Sequence, residues 1–512
     1  MGCVDGMTVS DANLIINKIN TSEEYSSALV KDTGIVFVPE RQRVIARPHI
    51  PATESRIEGI ILRALALDES EVQKESECML SKFSHRHHNF EALLERQFDS
   101  IRRFVPSDVL PSRERRYLIG SLFLSEYSFE SAALFNPSIV PHPDQTGLPP
   151  GSLRFILSLR ATGEGHISSL KFSSGCIDED HNISIDSSLG LATTAQMKVN
   201  TFYNKISFVR KLREMGVFTD FSNFILNSLS DEFTFTELME KVKIQIHEHQ
   251  PLSAVESLAL DKIQWLARCN YEADFEPSVP LSERVLFPVS PSEQNGIEDA
   301  RFVLFTDDDG SKKYYATYTA YDGKIVLPQL METEDFVHFK MSTLCGSAVV
   351  NKGMAMFPRR INGRYAMISR QDNENLFLMY SDNIHFWNET KLLMKPSYPW
   401  EFVQIGNCGA PIETKEGWLL LTHGVGPLRQ YSIGAILLDK EDPSKILGRL
   451  REPLINWTEN TRSGYVPNVV YTCGALPHKD KLILPYAMSD QQTTISLISL
   501  SSLLEKLLHG TC

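Results

Sequence analysis

Five segments of the chain repeat one pattern: LRFILSLRATG (153–163), KKYYATYTAYDG (312–323), GRYAMISRQD (363–372), GWLLLTHGVG (417–426) and KLILPYAMSDQ (481–491). Each is an apolar and aromatic run entered from a turn, and each ends on a polar or charged residue: Arg160, Thr319, Arg370, His423 and Asp490. Apolar runs bounded by turn residues read as strands. The last four recur at intervals of about 50 to 65 residues, the range expected of four-stranded propeller blades with their loops. A β-sandwich or an unrelated row of strands would share that spacing. The polar residue at the same end of every copy favours a propeller, whose inner strands would aim all five at one funnel. The expected fold class is mainly β: a five-bladed β-propeller with an N-terminal helical extension and a helical insertion between its first and second blades.

The additions carry helical periodicity. ESRIEGIILRALALDESEVQKESECMLSKF and HNFEALLERQFDSIRRFV place apolar residues on one face, which makes residues 1–114 a mostly helical extension. Residues 115–194 form the first blade region. KISFVRKLREMGVFTDFSNFILNSL, FTFTELMEKVKIQIHEH and SAVESLALDKIQWLARC read as three amphipathic helices and make 195–272 an insertion. Residues 273–512 hold the remaining blades. The cluster HRHH, with His85, His87 and His88, lacks the same-face spacing of a metal pair and reads as a solvated helix start.

Composition narrows the function classes. A formal net charge of -13 argues against a nucleic-acid partner, which draws its affinity from clustered Lys and Arg, and leaves room only for a local anion site. No stretch approaches the ~18 consecutive apolar residues of a membrane span. The start MGCVDGMTVS lacks the basic and apolar regions of a secretory signal and lacks Ser or Thr at its sixth position for myristoylation. Eight cysteines lie far apart without a CxxC, which suits buried thiols in a reducing cytoplasm. The expected location is therefore cytoplasmic. Neither a nucleophile elbow, a Walker loop nor an HExxH motif is found.

Convergent strand ends would bring Arg160, Arg370, His423 and Asp490 together. NGIEDARFVLF (295–305) would add Glu298, Asp299 and Arg301, and VVNKGMAMFPRRINGR would add Asn351 and Lys352. Carboxylates amid cations, with Tyr318, Trp387, Trp418 and Tyr486 as aromatic walls, suit a sugar with an anion beside it. Glycosidic cleavage needs a protonated carboxyl group for the leaving oxygen and an attacker on the opposite face. Water as attacker needs a second carboxylate as base; inorganic phosphate needs cations to hold it.

NGIEDARFVLF, NKGMAMFPRRINGRYAMISR, YSDNIHFW, GAPIETKEGWLLLTHGV, GYVPNVVYTCG and LPYAMSD, in that order, resemble glycoside hydrolase family 130. The resemblance implies a five-bladed propeller of β-mannoside phosphorylases, with some β-1,2-mannosidases. It covers about 285–500 and, through ALFNPSIV and FILSLRATGEGHISSLKFSSG, about 115–175. It places the general acid on Asp299, reaching the glycosidic oxygen through the sugar's 3-hydroxyl in an inverting reaction. It assigns Asn136 and Asp490 to the mannose, and His423 with Asn351 and Lys352 to the phosphate side. Glu298 reads either as a support of the substrate site or as an ordinary ion-pair partner of Arg301, and at most one of Arg359 and Arg360 faces inward.

Gly353 stands where the family often has a polar residue, EDAR replaces EDPR, and Arg462 and Ser463 stand where an acidic residue is common. These departures, with the long helical additions, keep the substrate of shorter relatives from being carried over.

For hydrolysis the candidate bases are Glu126, Glu130 and, foremost, Glu164. For phosphorolysis the candidate cradle is Arg160, Arg370, His423, Lys352 and Arg462. Cations outnumber bases, so the first expectation is a phosphorylase releasing mannose 1-phosphate, with inorganic phosphate as co-substrate and no cofactor or metal. An inverting β-mannosidase is the second, and a non-catalytic carbohydrate-binding propeller the third. The partners expected are a β-mannoside and phosphate, with the helical additions capping the funnel or building a homo-oligomer.

Overall fold

Each repeated segment forms a strand, Leu153–Thr162, Lys312–Tyr321, Tyr365–Ser369, Trp418–Val425 and Lys481–Met488, and each pairs next to the leading strand of its sheet, the first and second sheets being joined edge to edge where Gly296 pairs with Ser168. The computed structural model describes residues 29–198, 201–458 and 464–510, and the chain is mainly β. The strands ahead of the repeats are Ala133–Pro141, Gly296–Thr306, Ala355–Met356, Gln404–Asn407 and Val470–Tyr471. Sequence periodicity put the repeats themselves innermost, which the sheet order corrects. Three of the leading strands span only two to four residues, too short for alternation to show. The two long ones are interrupted by bulges.

Antiparallel partners complete the sheets. The first adds Ser168–Ile177, and the second adds Val326–Thr333 and His338–Thr343. The third adds Leu376–Ser381 and Glu389–Met394, and the fourth adds Tyr431–Leu438 and Ile446–Arg449. The fifth adds Gln492–Ser499, whose other edge pairs with Val30–Phe37 from near the start of the described chain.

Apolar cores lie between consecutive sheets. Phe172 and Phe302 meet between the first and second, and Val303 and Met367 between the second and third. Ile368 and Leu420 meet between the third and fourth, and Leu421 and Leu484 between the fourth and fifth. Leu134, Leu157, Ile483 and Ile495 share a core between the fifth sheet and the first. At about 1.5–3 kcal/mol per fully buried aliphatic side chain, these four outweigh the hydrogen bonds across the same junction, each worth about 1 kcal/mol net. Those bonds include Cys473 N to Pro137 O at 2.7 Å. Side-chain packing therefore joins the last sheet to the first, and it fixes where their leading strands sit.

Among its described residues the front segment is mostly helical, but Val30–Phe37 and Ile45–Pro48 are strands. Its first helical run is two helices, Glu54–Leu65 and Glu69–Phe83, because Asp68 caps the second by accepting from Glu71 N at 2.9 Å. The insertion holds four helices rather than three: Lys205–Glu214, Asp220–Asn227, Phe235–Glu248 and Ala254–Cys269. Gly216, at φ 69°, ends the first, and the Thr219 side chain caps the second. They enclose a core of their own that includes Leu212, Phe233 and Ile263.

The expected solvated helix start at HRHH is also corrected. His87 is buried 3.0 Å from Glu126, and His88 pairs with buried Glu283. Among the described residues no helix is long and apolar enough to cross a membrane.

Candidate active site

The leading strands of the first two sheets bulge at matching places. Register slips between Phe135 and Ser138 in one and between Glu298 and Arg301 in the other. A bulge inserts an unpaired residue and re-aims its side chain. Here the re-aimed residues are Asn136 and Asp299, both left-handed (φ 48° and 53°), and they meet: Asn136 Nδ2 donates to Asp299 Oδ1 at 2.6 Å. Arg160, at the end of the second strand of the first sheet, donates to Asp299 Oδ1 at 3.2 Å and to Glu298 Oε1 at 2.7 Å. Lys352 Nζ stands 3.8 Å from Glu298.

A cavity of about 590 Å³ opens over this cluster, within the usual range of small-molecule sites. Asn136, Arg160, Asp299, Lys352, Arg370 and Asp490 line it, together with Asn373, Gln404, Leu428, Arg429, Tyr431, Asn468 and Tyr471. Lining it, four cations (Arg160, Lys352, Arg370, Arg429) face two carboxylates (Asp299, Asp490). An anion site thus sits in a chain whose formal net charge is -13. Arg301 lies beneath, buried, donating to Cys408 O at 2.7 Å and to the Tyr471 hydroxyl at 2.6 Å.

Gly353 is required by this packing. It sits at φ 88°, and a Cβ there would fall 2.7 Å from Arg370 Nε and 3.3 Å from Arg301 Nη1. The departure noted at this position keeps the backbone close against two guanidinium groups.

Electrostatics separate the two carboxylates. Burial alone would raise Asp299, but Arg160, Lys352, Arg301 and the Asn136 amide overrule it and hold the group well below the usual carboxylate range. Burial pushes Asp490 up to about 7; Arg160 opposes the rise and the charge of Asp299 adds to it. His423 is fully buried, and burial, Arg370 and Arg301 drive its pKa far down, so the ring is neutral. Its ring stacks 5.9 Å from Tyr431 and lies behind the cavity wall.

Backbone strain gathers at the same place. Besides Asn136 and Asp299, the cavity-lining Asn373, Leu428, Arg429, Asn468 and Asp490 are left-handed without being glycine. Each costs on the order of 1 kcal/mol or more, least for Asn and Asp, and such residues persist where the fold holds side chains for use. Asn136 Oδ1 is buried and has no partner among the described residues, so an acceptor is held ready at the cavity floor.

Of the residues read from sequence, Asn136, Arg160, Asp299, Lys352, Arg370 and Asp490 come together in the cavity. Glu298 pairs with Arg160 and Lys352, and Arg301 bonds Cys408 and Tyr471, so the ion pair between Glu298 and Arg301 is not formed. Asn351 donates to Arg370 O at 3.4 Å, beside the cavity. Glu164 is exposed in the short turn Glu164–His166 and does not line the cavity. Glu126 and Glu130 are engaged elsewhere, Glu130 with Arg43 and Lys171.

Arg359 pairs with Glu413 and Arg360 with Asp307, both away from the cavity. The aromatic walls are also corrected. Tyr318, Trp387 and Trp418 are buried in cores, their polar tips spent on Glu293, Ile384 O and Lys440 O, and Tyr486 packs against the core between the fourth and fifth sheets. Tyr431 and Tyr471 line the cavity instead. Arg462 and Ser463 lie outside the described residues.

Sequence reasoning missed Gln404, Asn373, Arg429, Asn468, Tyr431 and Tyr471. Leu428 and Arg429 come from the glycine-containing turn that follows Trp418–Val425, which carries no signal of its own for this chemistry. Tyr471 and Asn468 lie in GYVPNVVYTCG, where the motif itself was the available signal.

Comparisons with known proteins bear on the same region. A family model described as beta-1,4-mannooligosaccharide phosphorylase matches residues 278–508. The 1,2-beta-oligomannan phosphorylase of Thermoanaerobacter sp. (strain X514) is 30% identical over 231 residues, 44% of this chain and 75% of that protein. A beta-1,2-mannobiose phosphorylase of the same strain is 34% identical over 226 residues, 42% of this chain and 70% of that protein. The solved structure of beta-1,2-mannobiose phosphorylase from Listeria innocua, in complex with beta-1,2-mannobiose, aligns over 73% of this chain and 92% of its own, with TM-score 0.45 and 17% identity. The span of the family model includes Asp299, Lys352, Arg370 and Asp490; Asn136 and Arg160 lie outside it and are joined to them by the fold.

Proposed function

Because the chain belongs to glycoside hydrolase family 130, we propose that it is an inverting β-mannoside phosphorylase, built on a five-bladed propeller whose blades are the five sheets. The cores shared in order from the first sheet round to the first again support that architecture. The observation that carries the reaction is the composition of the cavity: a buried carboxylate gripped by Asn136 and Arg160, with Lys352, Arg370 and Arg429 around the same space.

In this reading the mannose lies on Asn136 and Asp490, and phosphate is held by the cations. A phosphate oxygen forms the new bond to the anomeric carbon from the face opposite the leaving group. The glycosidic bond breaks toward its oxygen, which takes the proton of the sugar's 3-hydroxyl while that hydroxyl is reprotonated by Asp299. Attack from the opposite face turns a β-mannoside into α-mannose 1-phosphate. Asp299 recovers its proton from the monoester formed, so protons balance over the cycle.

Protein charges alone hold Asp299 ionised. A phosphate dianion between Lys352 and Arg370 would offset that positive field and raise Asp299 toward the range where it carries a proton. The co-substrate would thereby help to load the acid that acts on the sugar. Among the described residues Cys269, Cys345, Cys408 and Cys473 are buried free thiols, which supports a cytoplasmic location.

One observation favours a second reading. Asp490, pushed up to about 7, has the affinity of a general base at neutral pH, which would make the protein an inverting β-mannosidase. Turnover of β-1,2- and β-1,4-mannobiose with and without inorganic phosphate separates the two. Product that forms only with phosphate supports the phosphorylase, and equal turnover without it supports the hydrolase.

A further inference from the structure

Lys352 reaches the cavity on a loop, residues 344–354, that contains no regular strand between His338–Thr343 and Ala355–Met356. The loop takes three left-handed positions: Gly346 at φ 116°, Asn351 at 65° and Gly353 at 88°. A Cβ at Gly346 would fall 2.0 Å from the Trp387 carbonyl oxygen. A path this strained and this poor in ladder bonds is held by outside partners.

One set of partners comes from the inserted helix Lys205–Glu214, which lies outside the residues matched by the family model. Glu214 Oε1 accepts from Gly346 N at 2.5 Å, and buried Lys211 Nζ donates to Leu344 O at 3.1 Å and to Glu214 at 3.2 Å. Arg210 sits 4.0 Å over the ring of Phe386, in the turn whose His385 and Trp387 backbone groups bond Cys345 and Ala348 of the loop. Further along, Ala348 O accepts from Gln371, and Asn351 donates to Arg370 O. The chain then passes Lys352 and threads Gly353 between Arg370 and Arg301.

We propose that Glu214 and Lys211 are positioning residues for the anion side of the active site: the inserted helix clamps residues 344–346 and so fixes where Lys352 presents its ammonium. The inference rests on the reading of Lys352 as a phosphate-side cation. Removing the clamp should weaken phosphate selectively, because Asn136 and Asp490 come from the first and fifth sheets and Asp299 from the leading strand of the second, three strands from the edge that feeds this loop.

The test compares the wild-type protein with Glu214→Ala and Glu214→Gln, the second keeping an acceptor for Gly346 N. E214A should raise the KM for phosphate about tenfold, as expected if the displaced Lys352 loses one charge-assisted hydrogen bond to phosphate. The donor KM should stay within about twofold, and the melting temperature should fall by only a few degrees, the structural cost of the lost bond. E214Q should restore most of the loss. Lys211→Met, which removes the bond to Leu344 O, should give the same split if E214A does not fold.

Calorimetric binding of inorganic phosphate reads the clamp without turnover. Weaker binding by E214A supports the inference. Equal phosphate affinity in wild type and E214A, or a matched rise in both KM values with a fall in melting temperature, overturns it. No phosphate binding by the wild type overturns both this inference and the phosphorylase reading. Binding that weakens in E214A while turnover is independent of phosphate overturns the phosphorylase reading alone.

Discussion

Replacing Asp299 by Asn removes the proton while keeping the shape of the side chain, and the surroundings set what else changes. Asn136 keeps an oxygen to donate to at the position now 2.6 Å away. Arg160 loses a charged partner at 3.2 Å but keeps Glu298 at 2.7 Å, so no guanidinium is orphaned. The structural cost is therefore one charge-assisted bond, about 1.5–3 kcal/mol, and the variant should fold. The catalytic cost is larger: a positioned general acid contributes roughly 10²- to 10⁴-fold, or about 3–5 kcal/mol of barrier.

Two donors separate the costs. With a mannobiose, whose leaving alkoxide needs a proton, kcat should fall by that full factor. With 4-nitrophenyl β-mannoside, whose leaving group departs unprotonated, the deficit should shrink to about tenfold or less. Equal deficits on both donors would refute the assignment, because Asp299 would then be acting only in binding or folding.

Asp490 gives a test with a defined sign. Its folded-state pKa of about 7 lies above an unfolded value of about 3.9, so the folded protein binds more protons between the two, and stability falls as pH rises across that window. Asp490→Asn should therefore be more stable than wild type near pH 8, by about 2 kcal/mol after discounting partial exposure, with the gap closing toward pH 4. Melting curves at several pH values check it, and no stabilisation at high pH would contradict it. Glu164→Gln should leave kcat within about twofold, since Glu164 is exposed and off the cavity; a fall of about 100-fold or more would restore it as a base.

The five repeated strands were legible because turn residues bracket apolar runs long enough to show. Their place in each sheet was not, because strands such as Ala355–Met356 are two residues long. The bulge at Asn136 had a local cue in Pro137, which lacks the N–H to continue the ladder, whereas nothing in GIEDARF marks the bulge at Asp299. Strand-end reasoning found Arg160, Arg370 and Asp490 yet placed His423 in the funnel. Trp418–Val425 is buried along its whole length, which puts His423 inside the wall. Gln404, Arg429 and Asn468 belong to separate segments that meet only in the folded protein. Gly353 looked like a lost polar contact until Arg370 and Arg301 were seen against it.

Phosphorolysis requires that the cations of the cavity hold phosphate as the attacking group. The most direct measurement is product analysis of β-mannobiose turnover by the wild-type protein in phosphate and in phosphate-free buffer, with ³¹P and proton NMR to identify the ester and its anomer. A phosphorylase gives α-mannose 1-phosphate with phosphate present and releases no mannose without it. Free mannose formed at the same rate in both buffers would contradict phosphorolysis.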